Sequence, residues 1–287
     1  MHKLLCIVGP TGAGKTKRAI EEYRKNPSIL VSADSRQVYR GMDIVTGKDH
    51  PSGTTIYGVD IVDPDEPCSV AVWHEAIMSP INQAWQEGKQ VILVGGTGLY
   101  VKAITQGIET MSVPINQPLR DSLNALSITK LQERLKELDN LKFSSMNHSD
   151  QRNSRRLIRA IEVSHSPPSL KSKRENYDTK IIGLRCIDDS NHRYKITERV
   201  KQRIQMGAVA ETKSLLSKYH QPLQSMSAIG YTSIIKFIDG VLTEAQMIDT
   251  WVSDELAYAK RQFTWFAKVK SIQWEYIDNK NYANSEN

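Results

Sequence analysis

The sequence predicts an α/β protein: a doubly wound parallel sheet built on a phosphate-binding loop, or P-loop, and interrupted by a helical insertion. Three observations carry that reading. The apolar run "KLLCIV" (Lys3 to Val8) leads directly into "GPTGAGKT" (Gly9 to Thr16), and helical "KTKRAIEEYRK" follows. Short apolar runs then alternate with helical periodicity as far as Gly96. From about Pro114 successive helical segments follow with no strand between them, until strand character returns at "KIIGLRCI". The expected division is a catalytic core over 1–113 and 178–287, with an insertion over 114–177. A chain of 287 residues suits one large domain carrying such an insertion.

The first strand is apolar from Leu4 to Val8, as a strand buried on both faces of a parallel sheet must be. The octet after it meets G-x-x-x-x-G-K-[ST] at Gly9, Gly14, Lys15 and Thr16. A strand, a glycine-rich turn and a helix N-terminus together aim N–H groups and a dipole at an anion. Gly9, Gly12 and Gly14 let the backbone come close, with Pro10, Thr11 and Ala13 completing the loop. Lys15 supplies a mobile point charge, and Thr16 offers its hydroxyl to Mg²⁺.

"SILVSA" and "IYGVDIV" read as the next strands, and "QVILVGG" as another buried one. Between them "SVAVWHEAIMSPINQAWQEG" carries Val72, Ala76, Ile77, Ile81 and Trp85 at helical spacing. Three chemically loaded stretches, "GPTGAGKT", "ADSRQVY" and "GGTGLY", each follow a strand. In a doubly wound sheet the ligand sits at the carboxyl ends of the strands, so the three converge. In the insertion, "LRDSLNAL", "ITKLQERLKEL" and "DQRNSRRLIRAIEVS" read as helices. Arg152, Arg155, Arg156 and Arg159 fall at offsets of three and four and share one face, opposite Leu157, Ile158, Ile161 and Val163. "SPPSLKSKRENYD" is Pro/Ser/Lys-rich. Beyond it come the helices "NHRYKITERVKQRIQMG" and "TEAQMIDTWVSDELAYAKRQFTWFAKV", then a last strand, "SIQWEYI".

Composition narrows the function. Apolar content of 39% and charged content of 24% are those of a globular protein, and no apolar stretch approaches a membrane span. Cys6, Cys68 and Cys186 are scattered, giving neither a disulfide framework nor a C-x-x-C metal site. The expectation is a cytoplasmic monomer. The net charge of +6 is unevenly placed: Gln151 to Gln205 holds 14 Lys and Arg against 6 Asp and Glu. A solvated helix face explains such a block, and so does a footprint for nucleic acid; the second is favoured because a phosphate loop does not need it.

Asp34 follows a buried strand, where a carboxylate can accept a substrate proton or bind Mg²⁺ through water; it can also cap the next turn. "VILVGGTGLY" ends in Gly95, Gly96 and Thr97 where a P-loop nucleotidase carries an Asp that organises the metal. Glycines permit close approach of a bulky ligand but supply no carboxylate, which disfavours ATP or GTP hydrolysis. "KRQFTWF" mixes cations with aromatics, a combination that stacks bases; Phe263, Trp265 and Phe266 at the end of an amphipathic helix are more often core.

Together the motifs resemble one family, the tRNA dimethylallyltransferases, or tRNA isopentenyltransferases. "GPTGAGKT", "SADSRQVYRGMDI", "VDPDEPCSVA", "LVGGTGLY", "RRLIRAIEV", "AIGYTSI" and "KRQFTWF" match its blocks in order from Gly9 to Phe266. The resemblance implies that the phosphate loop holds the diphosphate of dimethylallyl diphosphate, with Thr11 to Thr16 lining that site. The prenyl carbon then moves to the exocyclic amine of an adenosine 3′ of a tRNA anticodon, and diphosphate leaves. It implies that Asp34 is the base, that Thr97 contacts the reacting nucleotide, and that Ser35, Arg36 and Gln37 touch RNA. Arg120, Arg155, Arg156 and Arg159 would touch RNA too, as would Ser227 to Thr232 with Gly230 and Tyr231. The insertion would clasp the anticodon arm. A diphosphate-clamping cation belongs in "HRYKITERV", where Arg199 is preferred to Lys195. The chain departs from the family pattern at "DIVTGK" (Asp43 to Lys48), and Ser227 and Thr232 stand where members often carry basic residues. The competing readings are an isopentenyltransferase acting on free adenine nucleotides, a P-loop small-molecule kinase, and a non-catalytic RNA-binding protein.

Overall fold

A computed structural model describes residues 2–48, 53–166, 177–220 and 223–277. Six strands, β1 (Lys3–Val8), β2 (Ser28–Ser32), β3 (Ile56–Tyr57), β4 (Gln90–Gly95), β5 (Asp178–Cys186) and β6 (Ile272–Ile277), form one sheet in the order β3-β2-β4-β1-β5-β6. Every pairing is parallel. The register sets Val8 of β1 beside Gly95 of β4 and Gly183 of β5. The chain leaves β1 toward β2 on one side and leaves β4 toward β5 on the other, so a crevice opens at their carboxyl ends.

The helices in chain order are α1 (Lys15–Tyr23), α2 (Val70–Gln86), α3 (Gly98–Thr105), α4 (Gln117–Asn124), α5 (Ile128–Ser145), α6 (His148–Gln151), α7 (Ser154–Ser164), α8 (Asp189–Gln205), α9 (Ala208–Tyr219), α10 (Tyr231–Ile238) and α11 (Glu244–Phe266). Alternate residues of the central strands serve two cores. Leu5, Ile7, Leu30, Ile92, Val94, Ile182 and Leu184 pack with Ala19 of α1. On α2, Trp73, Ile77, Ile81 and Trp85 are buried at helical spacing, and the Trp73 indole donates to the Ser32 carbonyl of β2 at 3.1 Å. A third core is mostly helical: Ile196 and Val200 of α8, Tyr231 and Ile234 of α10, and Met247 and Trp251 of α11 pack with Met42 and Val45 from the loop after β2.

The expected strand "IYGVDIV" is cut to two residues. Gly58 and Asp60 both take positive φ (84° and 54°), which breaks the extended backbone, and a single bridge between Tyr39 and Val62 is what remains of the pairing. At Gly58 a Cβ would stand 2.8 Å from the Ser32 carbonyl, so the turn passes too close to β2 for any other residue.

The chain divides into two units, Met1–Gln106 with Glu175–Asn287, and Gly107–Arg174. The second is helical, with Leu123, Leu131, Leu135, Leu157, Ile158 and Ile161 as its core. Asn153 caps α7 by accepting the Arg156 N–H at 3.2 Å. That cap splits the helix read from the sequence, so Arg152 ends α6 and does not share a helix face with Arg155, Arg156 and Arg159. Inside the unit lies one buried carboxylate, Glu162. Arg120 holds it through two nitrogens (3.0 and 2.8 Å), the Asn116 N–H donates to it at 2.7 Å, and Arg159 completes the set. Arg159 also donates to the carbonyls of Thr110 (2.6 Å) and Val113 (2.9 Å). Those bonds bind Glu109–Ser112, a 3₁₀ turn, into the helical unit, which therefore begins at Gly107 rather than Pro114.

Burial alone would raise the Glu162 carboxyl, but the Arg120 pair, the Asn116 N–H and Arg159 together bring it down to about 2. A folded-state value below the unfolded one gives stability that is present above about pH 4.5 and lost as pH falls toward 2. Glu162→Gln should lower the unfolding free energy of this unit by roughly 2–4 kcal/mol at neutral pH. It should also flatten the stability loss below pH 4.5, which urea titrations across pH 2–7 would measure.

Candidate active site

α1 begins at Lys15, directly after Gly14 in the left-handed conformation (φ 72°), and no side chain caps it. This leaves the helix N-terminus pointing at the crevice beyond β1. The Lys15 ammonium donates to the Pro10 carbonyl at 2.7 Å, so it lies within its own loop. Three side chains from later elements reach Thr11. His192 of α8 donates from Nε2 to the Thr11 carbonyl at 2.7 Å, and Arg199 donates to its hydroxyl at 3.2 Å. From α11, Gln262 accepts the Thr11 N–H at 2.8 Å.

The ends of β2 and β4 face this loop. The Thr97 N–H donates to the Ala33 carbonyl at 3.0 Å, and the Thr97 hydroxyl oxygen accepts the Ser35 N–H at 3.0 Å. Asp34 lies between them. One of its oxygens accepts the Arg36 N–H at 2.9 Å, so it caps the turn while facing the crevice. Tyr258 of α11 stands beside Asp34 and Thr97. Burial pushes its hydroxyl up to about 12; the Asp34 charge adds to that and a hydrogen bond with Thr97 opposes it.

A third wall is the segment from Met42 to Lys48, which three groups hold in place. Glu211 of α9 accepts the N–H groups of Asp43, Ile44 and Val45 at 2.9, 2.7 and 3.2 Å, and takes a further bond from the Tyr231 hydroxyl at 2.6 Å. The buried Lys48 ammonium donates to Asp43, Asp60 and the Tyr39 carbonyl at 2.6, 2.5 and 2.5 Å. The Gln37 amide donates to the Gly47 carbonyl at 3.0 Å and accepts from Ser32 at 2.8 Å. Next to Gly47, Arg203 pairs with Glu255 of α11 at 3.1 Å, both nearly buried.

These walls enclose a cavity of about 590 Å³, a size that holds a small phosphorylated ligand with room to spare. Thr11, Gly12, Gly14, Lys15 and Thr16 line it from the phosphate loop and Arg199 from α8; Asp34, Ser35, Arg36 and Gln37 line it from the turn after β2 and Tyr258 from α11. Val45, Ile56, Val59, Val94 and Ile229 supply its apolar surface. Among the described residues no group of three or more His, Cys, Asp or Glu is placed to hold a metal.

Gly9, Pro10 and Ala13 shape the loop without lining the cavity, and Thr97 stands behind Ser35. Arg199 is at the wall and Lys195 is not. Ser227, Ala228 and Ile229 line the cavity, whereas Tyr231 is fully buried with its hydroxyl on Glu211, and Gly230 packs against Trp251. Tyr231 therefore holds the segment from inside and has no surface to offer RNA. Arg120, Arg155, Arg156 and Arg159 belong to the helical unit. Arg155 and Arg156 are exposed, while Arg120 and Arg159 serve Glu162. Sequence reasoning missed Arg203, Glu211, Glu255, Tyr258 and Gln262. For α11 a signal existed: Glu255, Tyr258 and Gln262 recur at helical spacing among the apolar Trp251, Val252, Ala259 and Phe266, so polar groups interrupt a core-facing stripe.

Comparison with known proteins agrees along the chain. The IPP transferase family model matches residues 37–269. The tRNA dimethylallyltransferase of Anoxybacillus flavithermus is 34% identical over 283 residues, 95% of this chain and 90% of that protein. That of Finegoldia magna is 35% identical over 285 residues, again 95% and 90% of the two chains. Among solved structures, the full-length tRNA isopentenylpyrophosphate transferase of Bacillus halodurans has a TM-score of 0.71 at 31% identity, covering 97% of this chain and 92% of that one. A eukaryotic dimethylallyltransferase acting on tRNA shares the fold, with a TM-score of 0.84 at 21% identity. On the family model and these relatives, the chain belongs to the IPP transferase family.

Proposed function

We propose that this protein is a tRNA dimethylallyltransferase. It moves a dimethylallyl group from dimethylallyl diphosphate to the exocyclic amine of the adenosine 3′-adjacent to the tRNA anticodon, and releases diphosphate. The observation that carries the reading is one cavity lined by both the phosphate loop and the Asp34 turn. Cations and N–H groups gather at the phosphate loop, and Asp34 faces the same space from the end of β2. Family membership supports the same chemistry.

In this reaction the bond between the prenyl carbon and the diphosphate oxygen breaks, and a carbon–nitrogen bond to the amine forms. Lys15, Arg199 and the loop N–H groups absorb the charge that develops on the departing diphosphate. Thr16 is the residue that would hold Mg²⁺, which when bound adds positive charge at the diphosphate. Asp34 accepts the amine proton, and its bond from the Arg36 N–H fixes which oxygen remains for that task. No water-activating residue is required, in keeping with Gly95, Gly96 and Thr97 at the end of β4. An adenosine in a loop leaves its stack at a cost of a few kcal/mol and enters the cavity as a flipped base. The exposed Arg155 and Arg156 of α7 present cations to the anticodon stem-loop. The cavity is complete within one unit of one chain, which supports a monomer as the acting species. Among the described residues no helix is long and apolar enough to cross a membrane, and a tRNA substrate points to the cytoplasm.

The direct test is mass spectrometry of nucleosides from unmodified tRNA incubated with the protein, Mg²⁺ and dimethylallyl diphosphate, with AMP and ATP as alternative acceptors. One prenyl group on an anticodon-loop adenosine, with free nucleotides untouched, is the expected result; prenylated AMP would move the assignment to the free-nucleotide enzymes. Asp34→Asn keeps the cap on Arg36 but removes the base, so kcat should fall by about 10²–10⁴ while RNA affinity stays within twofold. Unchanged turnover would free Asp34 of the role. Lys15→Ala should raise KM for the prenyl diphosphate by roughly tenfold or more and leave tRNA binding by filter retention nearly intact.

A further inference from the structure

Gln262 is 5% exposed and occupies both ends of its amide inside the site. Its oxygen accepts the Thr11 N–H of the phosphate loop at 2.8 Å, and its nitrogen donates to the Gly96 carbonyl at the end of β4 at 3.1 Å. An amide carries an acceptor and a donor on one rigid plane, as this bridge needs. The bridge also explains Gly96. A Cβ there would stand 1.9 Å from the Gln262 nitrogen, so only glycine admits the amide.

The two anchors belong to different halves of the cavity. Thr11 is also held by His192 and Arg199 and stands at the diphosphate end. Gly96 precedes Thr97, whose hydroxyl oxygen takes the Ser35 N–H next to Asp34 at the acceptor end. We infer that Gln262 is a positioning residue that sets the spacing between the donor-diphosphate half-site and the acceptor half-site. It lines the cavity wall, but both ends of its amide are spent on the backbone of Thr11 and Gly96. Each half keeps its own binding groups without it, but the prenyl carbon and the attacking nitrogen no longer meet at reacting distance. A displacement of about 1 Å between two reactants costs on the order of a hundredfold in rate. The inference rests on the prenyl-transfer reading.

The test compares the full-length parent with Gln262→Glu, Gln262→Leu and Gly96→Ala. Gln262→Glu is nearly isosteric: it keeps an acceptor for Thr11 and turns the donor facing Gly96 into a second acceptor. Gly96→Ala displaces the amide from the other side. Single-turnover prenyl transfer to tRNA, calorimetric binding of inorganic diphosphate with Mg²⁺, tRNA affinity and thermal midpoints are measured for each. The expected result is a transfer rate lowered about 30- to 100-fold in folded Gln262→Glu and in Gly96→Ala, with diphosphate and tRNA affinities within about threefold of the parent. Gln262→Leu should fall at least as far. Transfer rates within threefold of the parent in folded variants would overturn the inference. So would a loss confined to diphosphate affinity, or one that merely tracks the fraction unfolded. If Gln262→Leu does not fold, the Glu and Gly96 variants decide. A parent protein that transfers no prenyl group overturns the transfer reading itself, an outcome distinct from unchanged variants of an active parent.

Discussion

Parallel hydrogen bonding of β1 to β4 on one side and to β5 on the other is the constraint on which the rest of the structure depends. The register brings Val8 and Gly95 level, so β1 and β4 leave the sheet at one height while β5 runs on past Gly183 to Cys186. Where neighbouring strands send their connections in opposite directions, no loop covers the gap between them. The phosphate loop and the Asp34 turn line that gap and the glycine-rich start of α3 borders it. The chemistry is then a matter of which side chains those three turns carry, and of what the helices behind them hold fast.

Much of that holding is done by buried and half-buried charge. Glu211 gathers three consecutive N–H groups from the segment after Met42, and Lys48 ties the same segment to Asp43 and Asp60. Arg203 and Glu255 pair where α8 meets α11, and Glu162 does similar work in the helical unit. Such groups are costly to desolvate, and replacing a pair with apolar residues often leaves stability unchanged or better. Their value here is geometric. A carboxylate that accepts three N–H groups and a tyrosine hydroxyl fits one backbone conformation, and that conformation is a wall of the cavity.

The sheet and the phosphate loop were legible because their signals are local: apolar runs of strand length, and a motif whose spacing follows from its backbone. Asp34 was legible from its place after a strand. The expected strand at Ile56 to Val62 failed because apolar alternation outweighed Gly58 and Asp60, whose positive φ ends the strand at Tyr57. Arg120, Arg159 and Tyr231 illustrate a different limit. Their side chains suit RNA equally well. Arg159 lies three residues from Glu162 in a spacing that reads equally as an exposed helix pair, while Arg120 and Tyr231 find carboxylate partners 42 and 20 residues away in sequence. Gln262 was hidden for the same reason, since its partners Thr11 and Gly96 are 251 and 166 residues distant.

The place of β5 in the sheet has a consequence for the order in which the molecule is made. β1 emerges first, but the neighbour that completes its hydrogen bonding, β5, follows the whole helical unit, and β6 follows nearly a hundred residues later still. The helical unit closes its own core from residues within 107–174. Contacts close in sequence form early and distant parallel pairings late. A ribosome therefore delivers a half-sheet with β1 as a bare apolar margin and holds it so while the insertion is synthesised. During that interval the nascent chain is at its most vulnerable to aggregation and most in need of a chaperone.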